Sequence, residues 1–437
     1  MKLNKNVLVE RRVLELNKPF LYAYQKDKKI DKGFRVLVDF NGSHVVGFVL
    51  EVAKTDKTLE EINKDSNFII KEIIEVIDEE KIINEELFSM AEYMEKRYVS
   101  SLISCLQTIL PPTLKPSSSY KTAPKIAYEK YVKYECDAKD LTPKQNKTLD
   151  IIKQHKLSLK NLYDSGVIKN LIAKKCISIV NIEKYRYKSI SNISKRRFEL
   201  TNEQKNIYDE FIKSDDKVYL LKGITGSGKT EVYIKIIEYY LKQGKNALVL
   251  VPEINLTPLL KLRFIEYFDE EIGILHSGLT PAEKYDEYRK ILKGNVRIVI
   301  GTRSAIFSPL TNIGIIVLDE EFSDSYKNQN SPFYDAIDLA IYRAGIQGSK
   351  VLLASATPSL NSMAHANKGV YHLLELENRY NKTDLPITKI VNMNDINSLL
   401  PGFSGISKDL FLALQTVLNN KKQAILLLNN RGYSRRV

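Results

Sequence analysis

The sequence has no tryptophan and only three cysteines, Cys105, Cys136 and Cys176. None is spaced as CxxC, so a zinc site and a disulfide framework are both disfavoured, and a reduced cytoplasmic setting is expected. Long apolar runs are also missing. No stretch approaches the ~18 residues of a membrane span, and the opening MKLNKNVLVERR lacks the apolar core of a secretory signal. No membrane partner is expected. Acid is in deficit: 53 Asp and Glu face 66 Lys and Arg, a net +13 over 437 residues. A lysine-rich composition bias supplies part of this, but the excess favours a polyanion, most often nucleic acid. The length suits about three domains of ~150 residues.

Residues 7–54 alternate apolar and polar (FRVLVDF, HVVGFVLEV) and read as short strands of a small β domain. Residues 85–110 have helical periodicity and stop at Pro111-Pro112. LKPSSSYKTAPK, at 114–125, is a linker by composition. Residues 141–180 read as three short helices and a strand, an order that suits a winged helix. The basic, tyrosine-containing stretch 183–199 is either a DNA-contacting linker or a solvated connector. From about residue 200, apolar strand-like runs alternate with amphipathic helical stretches, the pattern of a parallel sheet with helices on both faces.

GITGSGKT, Gly223 to Thr230, matches GxxxxGK[ST] and lies between a strand and a helix. The glycines (Gly223, Gly226, Gly228), with Ile224, Thr225 and Ser227, let backbone N–H groups curl around phosphate at a helix N-terminus. Lys229 would reach the β- and γ-phosphates and Thr230 would ligate Mg²⁺. A second signal is GIIVLDEEFSDS, at 314–325. A buried strand that runs straight into Asp319, Glu320 and Glu321 places carboxylates where a P-loop enzyme needs them. Asp319 is expected to hold Mg²⁺, Glu320 to orient or deprotonate the attacking water, and Glu321 to join the nucleotide site. Gln204, in LTNEQ ahead of the loop, is expected to read adenine. Thr257, Thr302, Arg303 and Ser304 follow strands and are expected to touch a nucleic-acid backbone. Ser355 and Thr357, in LLASATPS, are expected to couple nucleotide to polymer. A P-loop small-molecule kinase would explain neither the basic N-terminal half nor the GTRSA segment.

Together these stretches resemble the family of primosomal protein N′ (PriA), replication-restart DNA helicases of superfamily 2. The resemblance is carried by GITGSGKTEVYI, LVLVPEINLTP, LHSGLTPAEKYDEY, VRIVIGTRSAIFSP, VLDEEFSDSYK, LASATPSL and AILLLNNRGYSRR. KPFLYAY, GFRVLVDFNG and MAEYMEKRYVSSLISCLQTILPP extend it to the N-terminal part. It implies an α/β chain with a RecA-like P-loop lobe, preceded by a small β-rich DNA-binding domain and a winged helix. The expected parts are a 3′-end-binding domain at 1–113, a linker at 114–140, a winged helix at 141–182 and a basic linker at 183–199. An ATP-binding lobe at 200–380 follows, and then the start of a second lobe at 381–437.

The implied activity is ATP- and Mg²⁺-dependent 3′–5′ helicase action on forked or single-stranded DNA. Implied partners are single-stranded DNA-binding protein and primosome components. The family also carries zinc, but this chain stops before the zinc-binding cysteines, so a truncated product that binds ATP and DNA and unwinds poorly is expected. Phe20, Tyr22 and Gly33 stand in the implied 3′-end pocket, and Tyr326 and Lys327 in an aromatic-rich DNA-sensing loop. Departures are equally plain. Phe322 replaces a histidine that links nucleotide to DNA, Leu21 replaces an aspartate, and Phe333, Asp335 and Ile337 replace Arg, His and Arg. The competing reading is a fork-binding module whose ATPase is decayed or uncoupled.

Overall fold

Asn41 and Gly42 both take positive φ, +50° and +78°, as a two-residue type I′ hairpin requires. They join strand Arg35–Phe40 to strand Ser43–Lys54. In this computed structural model the described residues are 2–9, 18–25, 30–54, 58–64, 69–115, 126–155, 157–187, 194–195, 197–252, 258–381, 387–401 and 403–427. Residues 1–381 form one unit and 382–437 another.

The hairpin belongs to a six-stranded sheet in the order Lys71–Glu72, Phe20–Gln25, Lys2–Val9, Ser43–Lys54, Arg35–Phe40, Glu75–Val76. The single helical stretch expected over 85–110 is two helices, Glu85–Arg97 and Leu102–Ile109. They part at Val99, which takes φ +48°, and each begins on a capping side chain, Asn84 and Ser101.

The winged-helix expectation needs correction at its edges. Strand Ala127–Tyr134, inside the expected linker, pairs with Leu157–Leu159 and with Ile177–Lys184. LSLKNL is that short strand and a 3₁₀ turn, not a helix. Helices Pro143–His155 and Ser165–Ala173 close a small core around Val132, Leu149, Ile168 and Leu171.

The lobe is a seven-stranded, all-parallel sheet. Its order is Ile272–Leu275, Ile298–Gly301, Asn246–Leu250, Ile313–Asp319, Lys350–Ser355, Val218–Gly223, His372–Leu376. Parallel strands put every strand-to-helix loop on one edge, where α/β proteins bind ligands. Helices Asn202–Lys213, Lys229–Lys242 and Pro258–Tyr267 lie on one face. The other face shares a continuous apolar core with the N-terminal helices: Leu87, Phe88, Met90 and Ile103 join Leu220, Leu248 and Ile316. In 382–437, the pair Leu399–Leu400 and Phe403–Ser407 leads into helix Lys408–Asn419.

Polar groups fasten that shared core. Arg343, on helix Ala336–Gln347, is wholly buried. Its guanidinium donates to the carbonyls of Ile306 (2.6 Å), Ser308 (2.9 Å) and Leu310 (2.8 Å), and to the Glu86 carboxylate. Asp338 accepts from Tyr93 (3.1 Å), Arg97 (3.2 Å) and Tyr98 (2.7 Å). Glu86→Ala would strand a buried guanidinium, and breaking such a pair from one side costs roughly 3–5 kcal/mol. Urea unfolding should shift to lower denaturant by that amount; an unchanged midpoint would show that the pair contributes nothing.

Candidate nucleotide site

The loop after strand Val218–Gly223 opens helix Lys229–Lys242. Gly226 and Gly228 take φ +82° and +84°. At Gly228 a Cβ would be strained by the positive φ and would stand 2.1 Å from Gln204 Nε2, displacing that amide. The Lys229 ammonium rests 2.7 Å from the Gly223 carbonyl oxygen, and burial lowers its basicity. Ser227 is buried and its hydroxyl has no partner among the described residues.

Gln204 is only 2% exposed. Its Nε2 donates to the Ser227 carbonyl (2.9 Å) and its Oε1 accepts from Thr201 N (3.0 Å) inside a capping box. It therefore braces the loop.

Lys229, Thr230, Asp319 and Glu320 line one cleft of about 500 Å³ with Thr225, Gly226 and Gly228. Phe198, Tyr267 and Tyr380 add aromatic wall. Asp319 ends strand Ile313–Asp319. Its carboxylate accepts from the Tyr233 hydroxyl (3.1 Å) and from Glu320 N (3.0 Å). Burial raises the Asp319 carboxyl above its ordinary range, and burial with the Asp319 charge raises that of Glu320. Glu320 takes φ +48°, costly for a residue with a Cβ. Tyr233 escaped sequence reading, although helical spacing of four from Lys229 places it on that residue's face.

Glu321, expected to join the nucleotide site, does not line the cleft. It is 2% exposed and turns away from the cleft. Its carboxylate accepts from Ser359 N (2.7 Å), Ser359 Oγ (3.1 Å) and Ser362 Oγ (3.0 Å), while its own N–H donates to Ala354 (3.1 Å). Tyr326, expected on DNA, is wholly buried. Its hydroxyl lies 2.6 Å from the Asp319 carbonyl oxygen and 2.9 Å from that of Leu250, tying two strand ends together.

Other expected DNA contacts also turn out to serve the fold. Thr302 is buried. Arg303 donates to the carbonyls of Lys327 (2.6 Å) and Ser325 (3.3 Å), and so braces the loop that follows the acids. Tyr22 is buried with its hydroxyl on the Asp39 carbonyl (3.0 Å), and burial pushes the phenol up to about 12. Gly33 is buried at φ +89° against Ile83. Phe20, half-buried, packs edge-on against Phe40. Ser304 and Lys327 are exposed. Thr257, and Arg431, Arg435 and Arg436 of the last motif, lie outside the described residues.

Phe322 is 48% exposed and shares a hollow with Thr225, Glu320 and Thr357. Ser355 is buried and accepts from Thr357 N (3.0 Å). The segments expected to couple nucleotide and polymer thus meet beside the P-loop.

Two family models match the chain: the 3′ DNA-binding domain (3′BD) of PriA over residues 6–111, and the DEAD/DEAH box helicase over residues 201–365. Replication restart protein PriA of Bacillus subtilis is 33% identical over 98% of this chain and 62% of its own length. The chain resembles the PriA family along nearly its whole length. PriA of Rickettsia felis is 43% identical over 54% of this chain and 36% of its own. The chain therefore spans less than two thirds of the length of these PriA relatives. Among solved structures, RecG bound to a three-way DNA junction aligns over 42% of this chain and 24% of its own, at 25% identity and TM-score 0.31. The α/β assignment stands on the strand order itself. Among the described residues no helix is long and apolar enough to cross a membrane.

The buried acids have a thermodynamic consequence. Raised carboxyl pKa values in the fold mean that protonation is favoured there. The contribution of these two groups to stability is fullest at acid pH and is lost as pH rises through the raised folded values. Asp319→Asn should therefore raise the melting temperature of the ligand-free chain near neutral pH and leave it little changed in mild acid. A lower melting temperature at neutral pH would contradict this.

Proposed function

We propose that the chain binds ATP with Mg²⁺ in the P-loop cleft and hydrolyses it in response to forked or single-stranded DNA. It would act as the motor lobe and 3′-end-binding part of a 3′–5′ replication-restart helicase. One observation carries the reading: a desolvated Lys229 faces two desolvated carboxylates, Asp319 and Glu320, across a glycine loop. The orphan Ser227 hydroxyl and the two left-handed glycines support a phosphate chain as the occupant. Thr230 and Asp319 would hold Mg²⁺, which supplies neutralisation of phosphate charge. Lys229 binds and orients the phosphates. Glu320, its carboxyl already raised by burial and by Asp319, takes the proton of the attacking water. The remaining donor and acceptor of Gln204 suit adenine, and Phe198, Tyr267 and Tyr380 suit its flat faces.

Phe322 favours a second reading, a fork-binding module whose ATPase is uncoupled, because phenylalanine offers no donor or acceptor at the hollow it shares with Thr357. Single-stranded DNA-binding protein and primosome components are the partners that the first reading brings with it. ATP turnover with and without a fork bearing a 3′ end separates the two readings. DNA-stimulated turnover that falls about 10²–10⁴-fold in Glu320→Gln, as loss of a general base should, supports the motor. DNA binding without turnover in the unaltered chain supports the uncoupled module.

A further inference from the structure

A second hollow, about 180 Å³, lies where the Leu110–Pro112 turn of the N-terminal domain meets the lobe. The lobe side is formed by the segments that follow strands Ile272–Leu275 and Ile298–Gly301. This is the same sheet edge that carries the P-loop. The hollow is too small for a nucleotide and roomy enough for one phosphate group.

Its polar lining is one-sided. Lys115, His276, Lys284, Ser304 and Ser308 contribute, and none of the lining residues is acidic. Ser308 is 2% exposed, yet its hydroxyl has no hydrogen-bond partner among the described residues. A buried hydroxyl left unpaired calls for an explanation, and a bound acceptor provides one. His276 Nδ1 accepts from Gly278 N at 3.1 Å, so the ring hydrogen sits on Nε2 as a donor. Lys284 is held at the hollow by donating to the Ser277 carbonyl (3.1 Å). Burial, with the charges of Lys261 and Lys284 and against that of Glu283, lowers the basicity of His276. The residues that line the hollow thus carry positive charge and no carboxylate, with Glu283 the acid that His276 feels from nearby.

We propose that this hollow seats one backbone phosphate of single-stranded DNA, bridged between the N-terminal domain and the lobe by Lys284, Lys115, His276 and the Ser308 hydroxyl. The assignment rests on the reading of the chain as a DNA-binding motor. It adds a contact made jointly by both domains, so that a bound strand crosses the seam between them.

The test is fluorescence anisotropy of labelled oligo-dT on the full chain across a salt series. Each phosphate contact on a single strand contributes ~0.7 to the slope of log affinity against log salt. Lys284→Gln should therefore reduce that slope by about 0.7 and weaken low-salt binding several-fold. Ser308→Ala should weaken binding with the slope intact, because it removes a neutral donor. Lys242→Gln, on the opposite face of the sheet, should change neither. Binding by the unaltered chain with both hollow variants equal to it overturns the site alone. No binding by the unaltered chain overturns the motor reading and the site with it. Inorganic phosphate that protects the unaltered chain against heat more than Lys284→Gln, with DNA affinity equal in both, assigns the hollow to free phosphate and overturns the DNA assignment.

Discussion

The turn after Leu318 is the constraint on which the nucleotide site depends. A sheet strand ends there, three carboxylates follow, and Glu320 sits at φ +48°. Such a conformation persists only when its surroundings over-determine it. Two buried groups do so. The Tyr326 hydroxyl links the Asp319 carbonyl to that of Leu250 on the neighbouring strand, and Glu321 is anchored on Ser359 and Ser362 beyond strand Lys350–Ser355. With the chain pinned on both sides, Asp319 and Glu320 face the P-loop and Glu321 cannot. The same anchor ties the acids to the segment carrying Ser355 and Thr357.

The second constraint is the continuous core beneath the lobe. Helices Glu85–Arg97 and Leu102–Ile109 cover one face of the parallel sheet, where a doubly wound fold needs apolar cover. Arg343 and Asp338 then fix their register through Glu86, Tyr93, Arg97 and Tyr98. Tyr98 also accepts from Asp335 N at 3.2 Å, at the foot of the loop that follows the acids. The N-terminal domain is therefore built into the lobe as part of its packing.

Much of this was legible in the residues. Five of the seven lobe strands showed as apolar runs, and the P-loop had its strand and helix in place. Strand Ile272–Leu275 was missed because four residues with a central glycine give no period to read, and His372–Leu376 because an edge strand alternates weakly. In LSLKNL, Leu159 and Leu162 are three apart as in a helix, yet Leu157 and Leu159 alternate as in a strand and pair with Tyr131–Lys133. What the sequence left unread in the site has one cause. Glu321, Gln204 and Tyr326 sit in motifs, but their roles are set by Ser359, Ser227 and Leu250, partners distant in sequence. Glu321, one residue past Asp319 and Glu320, looks no different in sequence from its neighbours; only the direction of the turn sorts them.

The claim that the pinned turn aims the acids is tested most directly by titrating ADP, with and without Mg²⁺, into the unaltered chain and into Tyr326→Phe by calorimetry. Loss of the hydroxyl should leave Mg²⁺-free affinity unchanged and cut the gain from Mg²⁺ about fivefold, the equivalent of one hydrogen bond worth ~1 kcal/mol. An equal Mg²⁺ gain in both proteins would contradict the account and show that the acids hold their positions without Tyr326.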